Sequence, residues 1–393
     1  MIEAWLVELA KGLAKLFLNP LLYWSVLLVI LAGYKRVKRE RQNFGTKVFD
    51  VFTEWKSTWL FSLLTGIVLS IVIIGTGFVV SFSSLLLLSV VVILFSLSGR
   101  FLFLSPVYTV GVSFLLLLFL PTILENQQWV REDLFDPINL TVFPVILGIL
   151  LIAEGILLKR TNLRETYPGL SLSNRGIWVG EHRLKKLAII PFFFLLPTGS
   201  ITPFAEYWPY VSFGEQTYSL ILFPFLLGID YKVRGRYPKE AADKIAIPLI
   251  LMGVGATAIA VGGLFFAPLS LAAVLLTILG KEYINYRHRN SERLRRCYFH
   301  PMNKGLKVLG VIPGTPADRL GIEVGENIMK VNGQMVNSID SFYESLQASG
   351  AYFKLDIEDL HGELRFVQGA LYQGDHHELG LLFSDTPYRR KEA

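Results

Sequence analysis

Any catalysis by this chain would depend on a few histidine, serine and glutamate residues, and their spacing argues against it. A zinc hydrolase needs His-Glu-x-x-His, which places two imidazoles one helical turn apart beside a carboxylate base. The one His-Glu pair, His377-Glu378, is followed by Leu-Gly-Leu, so the second imidazole is missing. Adjacent histidines such as His376-His377 are more typical of a protein surface than of a metal site. We predict no metal and no cofactor.

Serine chemistry has no better support. Gly111-Val112-Ser113 resembles the start of the Gly-x-Ser-Gly motif of rhomboid-type proteases, but Phe114 stands where glycine should follow. The sequence contains no Gly-x-Ser-x-Gly nucleophile elbow and no phosphate loop. We therefore predict that the chain is not an enzyme. The alternatives left open are a membrane protease and a regulatory subunit of another membrane complex.

Glu154 is the clearest ionisable residue inside an apolar segment. A charge at the centre of a bilayer costs about 2.5–3.5 kcal/mol even on a lenient scale. Lys159 follows five residues later, so we predict snorkelling or local pairing near the cytoplasmic end of that segment. A transporter would show internal repeats and several midspan charges, and neither pattern is visible.

The composition indicates a membrane protein. Hydrophobic residues make up 52% of the 393 residues and charged residues only 18%, against about 25% in soluble domains. Residues 1–19 alternate apolar and charged positions, which predicts an amphipathic helix at the interface or leading into the first span. The single cysteine, Cys297, excludes an internal disulfide framework.

Apolar segments predict eight or nine membrane-spanning helices within residues 1–280. The nine candidates lie at 20–34, 59–80, 82–98, 101–120, 140–158, 187–204, 217–231, 245–264 and 267–280. The segments 187–204 and 217–231 are weaker because Pro191, Pro197 and Pro224 interrupt them.

Basic residues concentrate in alternate loops, which orients the chain. The loops after 34, 158, 231 and 280 are rich in lysine and arginine, and the short loop after 98 contains Arg100. The alternate loops contain almost none: Arg131 lies in one of them, and 202–218 has no lysine or arginine. By the positive-inside rule the rich loops are cytoplasmic, and so is everything after 280. In the first rich loop, Phe44, Val48, Phe52, Trp55 and Trp59 recur at helical spacing, which fits either an amphipathic helix on the inner leaflet or a plain structured loop. Residues 281–300 are predicted to be a basic juxtamembrane linker.

The stretch 305–333, GLKVLGVIPGTPADRLGIEVGENIMKVNG, predicts a small α/β unit. Pro313-Gly314 ends a strand, Thr315-Pro316 begins a short helix, and Asn332-Gly333 is a strong hairpin signal. The segment 338–347 has apolar residues on one helical face, and two further strands follow. The order of these elements and their sequence motifs resemble a bacterial PDZ domain over residues 301–385, with 386–393 as a tail. The fold class predicted is a polytopic α-helical membrane domain followed by a small α/β PDZ domain of the permuted bacterial type.

The PDZ resemblance implies a groove that accepts an extended peptide beside a sheet edge. Glu378-Leu379-Gly380-Leu381 resembles the carboxylate-binding loop, although the family has glycine where Glu378 stands. The implied peptide-binding residues are Leu379, Gly380, Leu381, Ile339, Tyr343 and Leu346, with Phe342 turned to the core. An apolar Ile339 favours an apolar ligand side chain. The alternative is that 379–383 is only a closing strand of the core.

The whole layout resembles the MinJ family of cell-division topological determinants of Gram-positive rods. The shared features are an apolar opening segment ending in GYKRVKRER, several spans and one C-terminal PDZ domain. The resemblance implies an adaptor at septa and poles of the cell membrane that helps to select the division site. Its implied partners are a DivIVA-like scaffold, a MinD-like ATPase, other division proteins and membrane lipids, with no nucleic acid.

Overall fold

A computed structural model describes residues 2–124, 140–173, 175–205, 208–210, 217–302, 304–348, 350–371 and 379–388. Its helices are α1 (Ile2–Leu16), α2 (Pro20–Phe44), α3 (Thr53–Lys56), α4 (Trp59–Thr76), α5 (Phe82–Leu97), α6 (Pro106–Leu124), α7 (Val142–Lys159), α8 (Pro238–Gly262), α9 (Pro268–Leu294), α10 (Pro316–Arg319) and α11 (Ile339–Gln347). Its strands are β1 (Tyr167–Leu172), β2 (Trp178–Ile201), β3 (Tyr218–Val233), β4 (Leu306–Lys307), β5 (Gly310–Val311), β6 (Asn327–Val331), β7 (Gln334–Met335), β8 (Tyr352–Glu358), β9 (Leu364–Ala370) and β10 (Leu381–Leu382).

The first part of the chain is a helical membrane domain. Among the described residues, α2, α4, α7 and α8 are long and apolar enough to cross a bilayer, and α5 and α6 contain shorter apolar stretches. Helix α7 is the central one, because most of its residues are buried. Helix α9 continues to Leu294, so the predicted boundary at 280 falls inside a helix rather than at its end.

The predicted helices at 187–204 and 217–231 are wrong: these segments form the antiparallel hairpin β2–β3. About ten apolar residues of each strand, at about 3.3 Å per residue, match the roughly 30 Å hydrocarbon thickness. A hairpin returns the chain to the side it left, as two helices would have done. The charge alternation in the sequence therefore does not distinguish the two structures.

Some backbone groups of β2 point away from β3, and side chains near α4 supply their hydrogen-bond partners. Backbone groups at membrane depth need such partners because no water is available there. Ser70 of α4 accepts a hydrogen bond from the Phe193 N–H at 3.0 Å, and Thr58 donates to the Leu187 carbonyl at 2.8 Å. Pro191 pairs opposite Pro224. At this position the N–H groups would point away from the partner strand, so the two prolines cost no ladder bond.

The segment between α2 and α4 is an ordered loop, so of the two interpretations the structured loop is correct and the amphipathic helix is wrong. Helix α2 ends at Phe44, where Gly45 adopts φ +73°, and only the single turn α3 follows before α4. Arg36 and Glu40, both within GYKRVKRER, lie buried under this loop. Arg36 donates to Glu40 at 2.7 Å and to Glu54 at 3.0 Å, while Glu40 accepts the Val48 N–H at 2.9 Å.

Glu154 does not snorkel. Its side chain is fully buried and forms an ion pair with Lys281 of α9, which is also fully buried. Ser105 donates to the second carboxylate oxygen at 2.5 Å. The partner is therefore 127 residues distant, and the local pairing with Lys159 is replaced by a bond between α7 and α9.

The described residues after 300 fold as the PDZ resemblance predicts. Strands β4, β6, β8 and β9 form a sheet with β7 at the β6 hairpin, and β5 pairs with β10 in a second, two-stranded sheet. Phe342, Phe353 and Ile357 are at the centre of the core between them. Thr315 precedes α10 as predicted, but its hydroxyl donates to the Ile312 carbonyl at 2.6 Å rather than capping the helix.

Candidate peptide-binding groove

Helix α11 forms one wall of the candidate groove. Ser338 and Ser341 make a reciprocal capping box at its start, which fixes where the helix begins. Phe342 and Leu346 turn into the core, whereas Ile339 and Tyr343 lie partly buried at its edge. The sequence predicted that Phe342 turns to the core, but it placed Leu346 with Ile339 and Tyr343 on the ligand-facing side, whereas Leu346 is buried in the core.

The loop before β10 needs glycine at position 380. Leu379 and Gly380 adopt φ values of +56° and +80°, and a Cβ at 380 would overlap the side chain of Thr315. The Leu379 carbonyl accepts the Ala317 N–H at 3.0 Å, and the Gly380 carbonyl accepts the Ile312 N–H at 2.9 Å. These bonds hold the loop against the start of α10. Glu378, the predicted first loop position, lies outside the described residues, as do His376 and His377.

Among the described strands, only β5 pairs with β10, so none of them covers the other backbone edge of β10. Its register pairs Leu381 with Val311 and Leu382 with Gly310. Because the Gly380 carbonyl bonds toward β5, alternation turns the N–H and C=O of Leu381 the other way. An extended peptide could therefore add beside β10, in the manner of strand addition.

The structure brings the six predicted groove residues into one place. Leu379, Leu381 and Leu346 are buried in the PDZ core, so the accessible wall consists of Ile339 and Tyr343. Gly380 shapes the loop. Whether these residues bind a peptide stays a prediction.

The opposite side of β10 contacts the membrane domain. Leu382 and Ile312 pack against Val48, Phe49 and Tyr167, which belong to the loop between α2 and α4 and to β1. We call this cluster the docking patch. Leu381 and Phe383 point into the PDZ core, so docking uses the face of β10 that the groove does not.

Polar contacts reinforce the docking patch. His182 of β2 lies with Nε2 2.8 Å from the Leu309 carbonyl and Nδ1 2.8 Å from Thr166 Oγ1. Burial lowers the pKa of His182 to about 4, against weaker opposing effects of the Leu309 carbonyl and Glu181. The neutral ring with hydrogen on Nε2 therefore donates to Leu309. Gly180 N–H also donates to the Phe299 carbonyl at 2.8 Å.

The sequence interpretation missed the docking residues. Leu382 lies between the core residues Leu381 and Phe383, so its side chain is on the outer face of the strand. An apolar residue on that face indicates that another part of the protein covers it. His182 and Tyr167 carry no comparable signal, because nothing in their spacing links them to residues more than a hundred positions away.

Comparison with known proteins agrees with this architecture. A protein-family model described as PDZ domain matches residues 307–358. The Cell division topological determinant MinJ of Bacillus subtilis (strain 168) is 32% identical over 382 residues, covering 96% of each chain. The Probable cell division topological determinant MinJ of Lacticaseibacillus paracasei is 23% identical over 379 residues, covering 93% of this chain and 96% of its own length. The chain belongs to the MinJ family of cell-division topological determinants.

Proposed function

We propose that the chain is a multi-pass membrane adaptor whose cytoplasmic PDZ groove recruits an extended peptide of a division protein. The observation that carries the proposal is the arrangement of β10. One face is held by the docking patch, while the edge of β10 that no described strand covers and the α11 wall offer a place for strand addition. A module held against a membrane raises the effective concentration of its ligand there.

The partners proposed are a DivIVA-like scaffold at poles and septa and a MinD-like ATPase that inhibits division. Support comes from family membership, since the curated relatives are named as cell-division topological determinants. In this proposal the chain bridges the two proteins, restricts division to mid-cell, and catalyses no reaction. The groove binds an apolar ligand side chain, because Ile339 stands at the start of α11.

Substitution of Gly380, for example by tryptophan, would not test peptide binding specifically. Any side chain at this position would overlap Thr315 and disturb the loop itself. Ile339→Asp with Tyr343→Asp is better, since both side chains lie at the accessible edge of the groove. Tyr352→Asp serves as the control, because Tyr352 is 54% exposed on β8.

The experiment is fluorescence localisation of the full chain in a rod-shaped Gram-positive cell. We expect wild type and Tyr352→Asp at septa and poles, and an even envelope signal for the double groove variant or after loss of the polar scaffold. Septal localisation that survives both changes would contradict the recruitment mechanism.

A further inference from the structure

A cavity of about 500 Å³ lies between α8 and α9, away from the PDZ groove. Its cationic lining comes from Arg236, Lys244 and Arg287, and its apolar lining includes Ile247, Pro248 and Tyr283. The cavity thus combines three cationic side chains with an apolar wall. An amphipathic anion could contact both kinds of lining at once.

The two kinds of lining are separated along the helix axes. On α8 the chain passes from Lys244 to Pro248, and on α9 from Arg287 back to Tyr283, in each case toward the apolar part of the helix. Four helical residues rise about 6 Å. Both walls therefore change from cationic to apolar over the same depth, as a bilayer does between headgroup and acyl chain.

The cationic groups retain capacity for a ligand. Arg236 donates to Ser291 Oγ at 2.8 Å, but its buried Nε has no hydrogen-bond partner within the described part of the chain. A buried donor that lacks an acceptor is destabilising. Lys244 pairs with Glu240 at 2.5 Å, with both side chains 50% exposed, and such exposed pairs contribute little.

Among the described lining residues, Glu292 is the one carboxylate, and it does not neutralise the cavity's cations. Glu292 accepts the main-chain N–H groups of Arg234 and Gly235 at 2.6 and 2.7 Å, so one of its oxygens is committed to that turn. The cavity therefore keeps an excess of positive charge.

We propose that this cavity binds one anionic phospholipid of the inner leaflet. The phosphate is held by Arg236, Lys244 and Arg287, and the acyl chain follows Ile247, Pro248 and Tyr283. Basic pockets at the cytoplasmic ends of paired membrane helices suit such headgroups. The ordered change from cation to apolar wall favours the lipid over a soluble phosphate, which would use only the upper half.

The test is native mass spectrometry of the purified full chain in detergent with added phosphatidylglycerol. We expect one saturable lipid per chain. Arg236→Gln/Lys244→Gln/Arg287→Gln should weaken its binding at least about tenfold, because the variant removes all three cations that attract the anionic headgroup. Lys35→Gln/Lys38→Gln/Lys56→Gln removes the same charge from exposed cytoplasmic positions and should leave binding unchanged.

A second pair of variants tests the apolar wall. Tyr283 and Tyr286 are both 63% exposed on α9, but only Tyr283 is in the cavity lining. We expect Tyr283→Ala to weaken phosphatidylglycerol binding and Tyr286→Ala not to. The site would be overturned if the two triple glutamine variants weakened phosphatidylglycerol binding equally, or if neither weakened it.

Soluble and uncharged probes distinguish the source of the ligand. Glycerol 3-phosphate carries the anion without acyl chains, and diacylglycerol carries the chains without the phosphate. Neither should compete with phosphatidylglycerol. Displacement by glycerol 3-phosphate at similar concentration would overturn the assignment to a lipid, and displacement by diacylglycerol would overturn the role of the cations.

Discussion

Nε2 of His182, in the hairpin of the membrane domain, lies 2.8 Å from the main-chain oxygen of Leu309 in the PDZ domain. The imidazole is almost fully buried, and it joins two parts of the chain that are 127 residues apart. Because a charged imidazole would lose its hydration here, we expect docking of the PDZ domain to depend on pH.

Docking should weaken as the pH falls from about 6.5 toward 4. The pKa of His182 is about 4 when docked and about 6.5 when exposed, so protonation favours the undocked state across that window. At pH 5.5 the docking constant should be about tenfold lower than at pH 7.5. Energy transfer between dyes at Lys38 and Met335, after replacement of Cys297, measures the docked fraction.

His182→Gln provides the control for that measurement. The glutamine amide donates a hydrogen bond to Leu309 but does not titrate, so the dependence on pH should largely disappear. A wild-type transfer efficiency that stays constant from pH 7.5 to 5 would show that His182 does not control docking.

The buried pair Glu154–Lys281 should be intolerant of single changes. Glu154→Gln leaves a buried ammonium without its counter-ion, which costs about 3–5 kcal/mol in comparable sites. Adding Lys281→Met removes the stranded charge and should recover much of the stability. Thermal unfolding of the purified chain in detergent measures both. A single variant as stable as wild type would mean that the pair does not hold α7 to α9.

Arg36 should be irreplaceable by lysine. Its guanidinium reaches Glu40, Glu54 and the Phe49 carbonyl together, a geometry that an ammonium cannot reproduce. Arg36→Lys should loosen the loop that supports the docking patch and lower the docked fraction in the same energy-transfer assay. Arg41→Lys, at an exposed position of α2, is the matched control and should have no effect.

The PDZ fold was predictable because its local signals are strong and mutually consistent. Pro313-Gly314, Thr315-Pro316 and Asn332-Gly333 each define one turn or helix start, and their spacing leaves few alternatives. Seven of the nine predicted apolar spans also proved helical.

The hairpin was not predictable from hydropathy. A run of about ten apolar residues fits a buried strand or part of a buried helix, and periodicity cannot separate them when every face is covered. Pro191, Pro197 and Pro224 were the available signal, because proline is costly inside a helix but tolerated at an outward strand position. The partners of Glu154 and Leu382 were beyond prediction, since both contacts depend on tertiary packing.

Site-specific photo-crosslinking in living cells tests the central claim most directly. A photoreactive phenylalanine at Tyr343 in the groove should give a discrete adduct identified as the polar scaffold or the division-inhibiting ATPase. The same group at Tyr352, outside the groove, should not give it. No adduct from position 343, or the same adduct from both positions, would contradict recruitment through the PDZ groove.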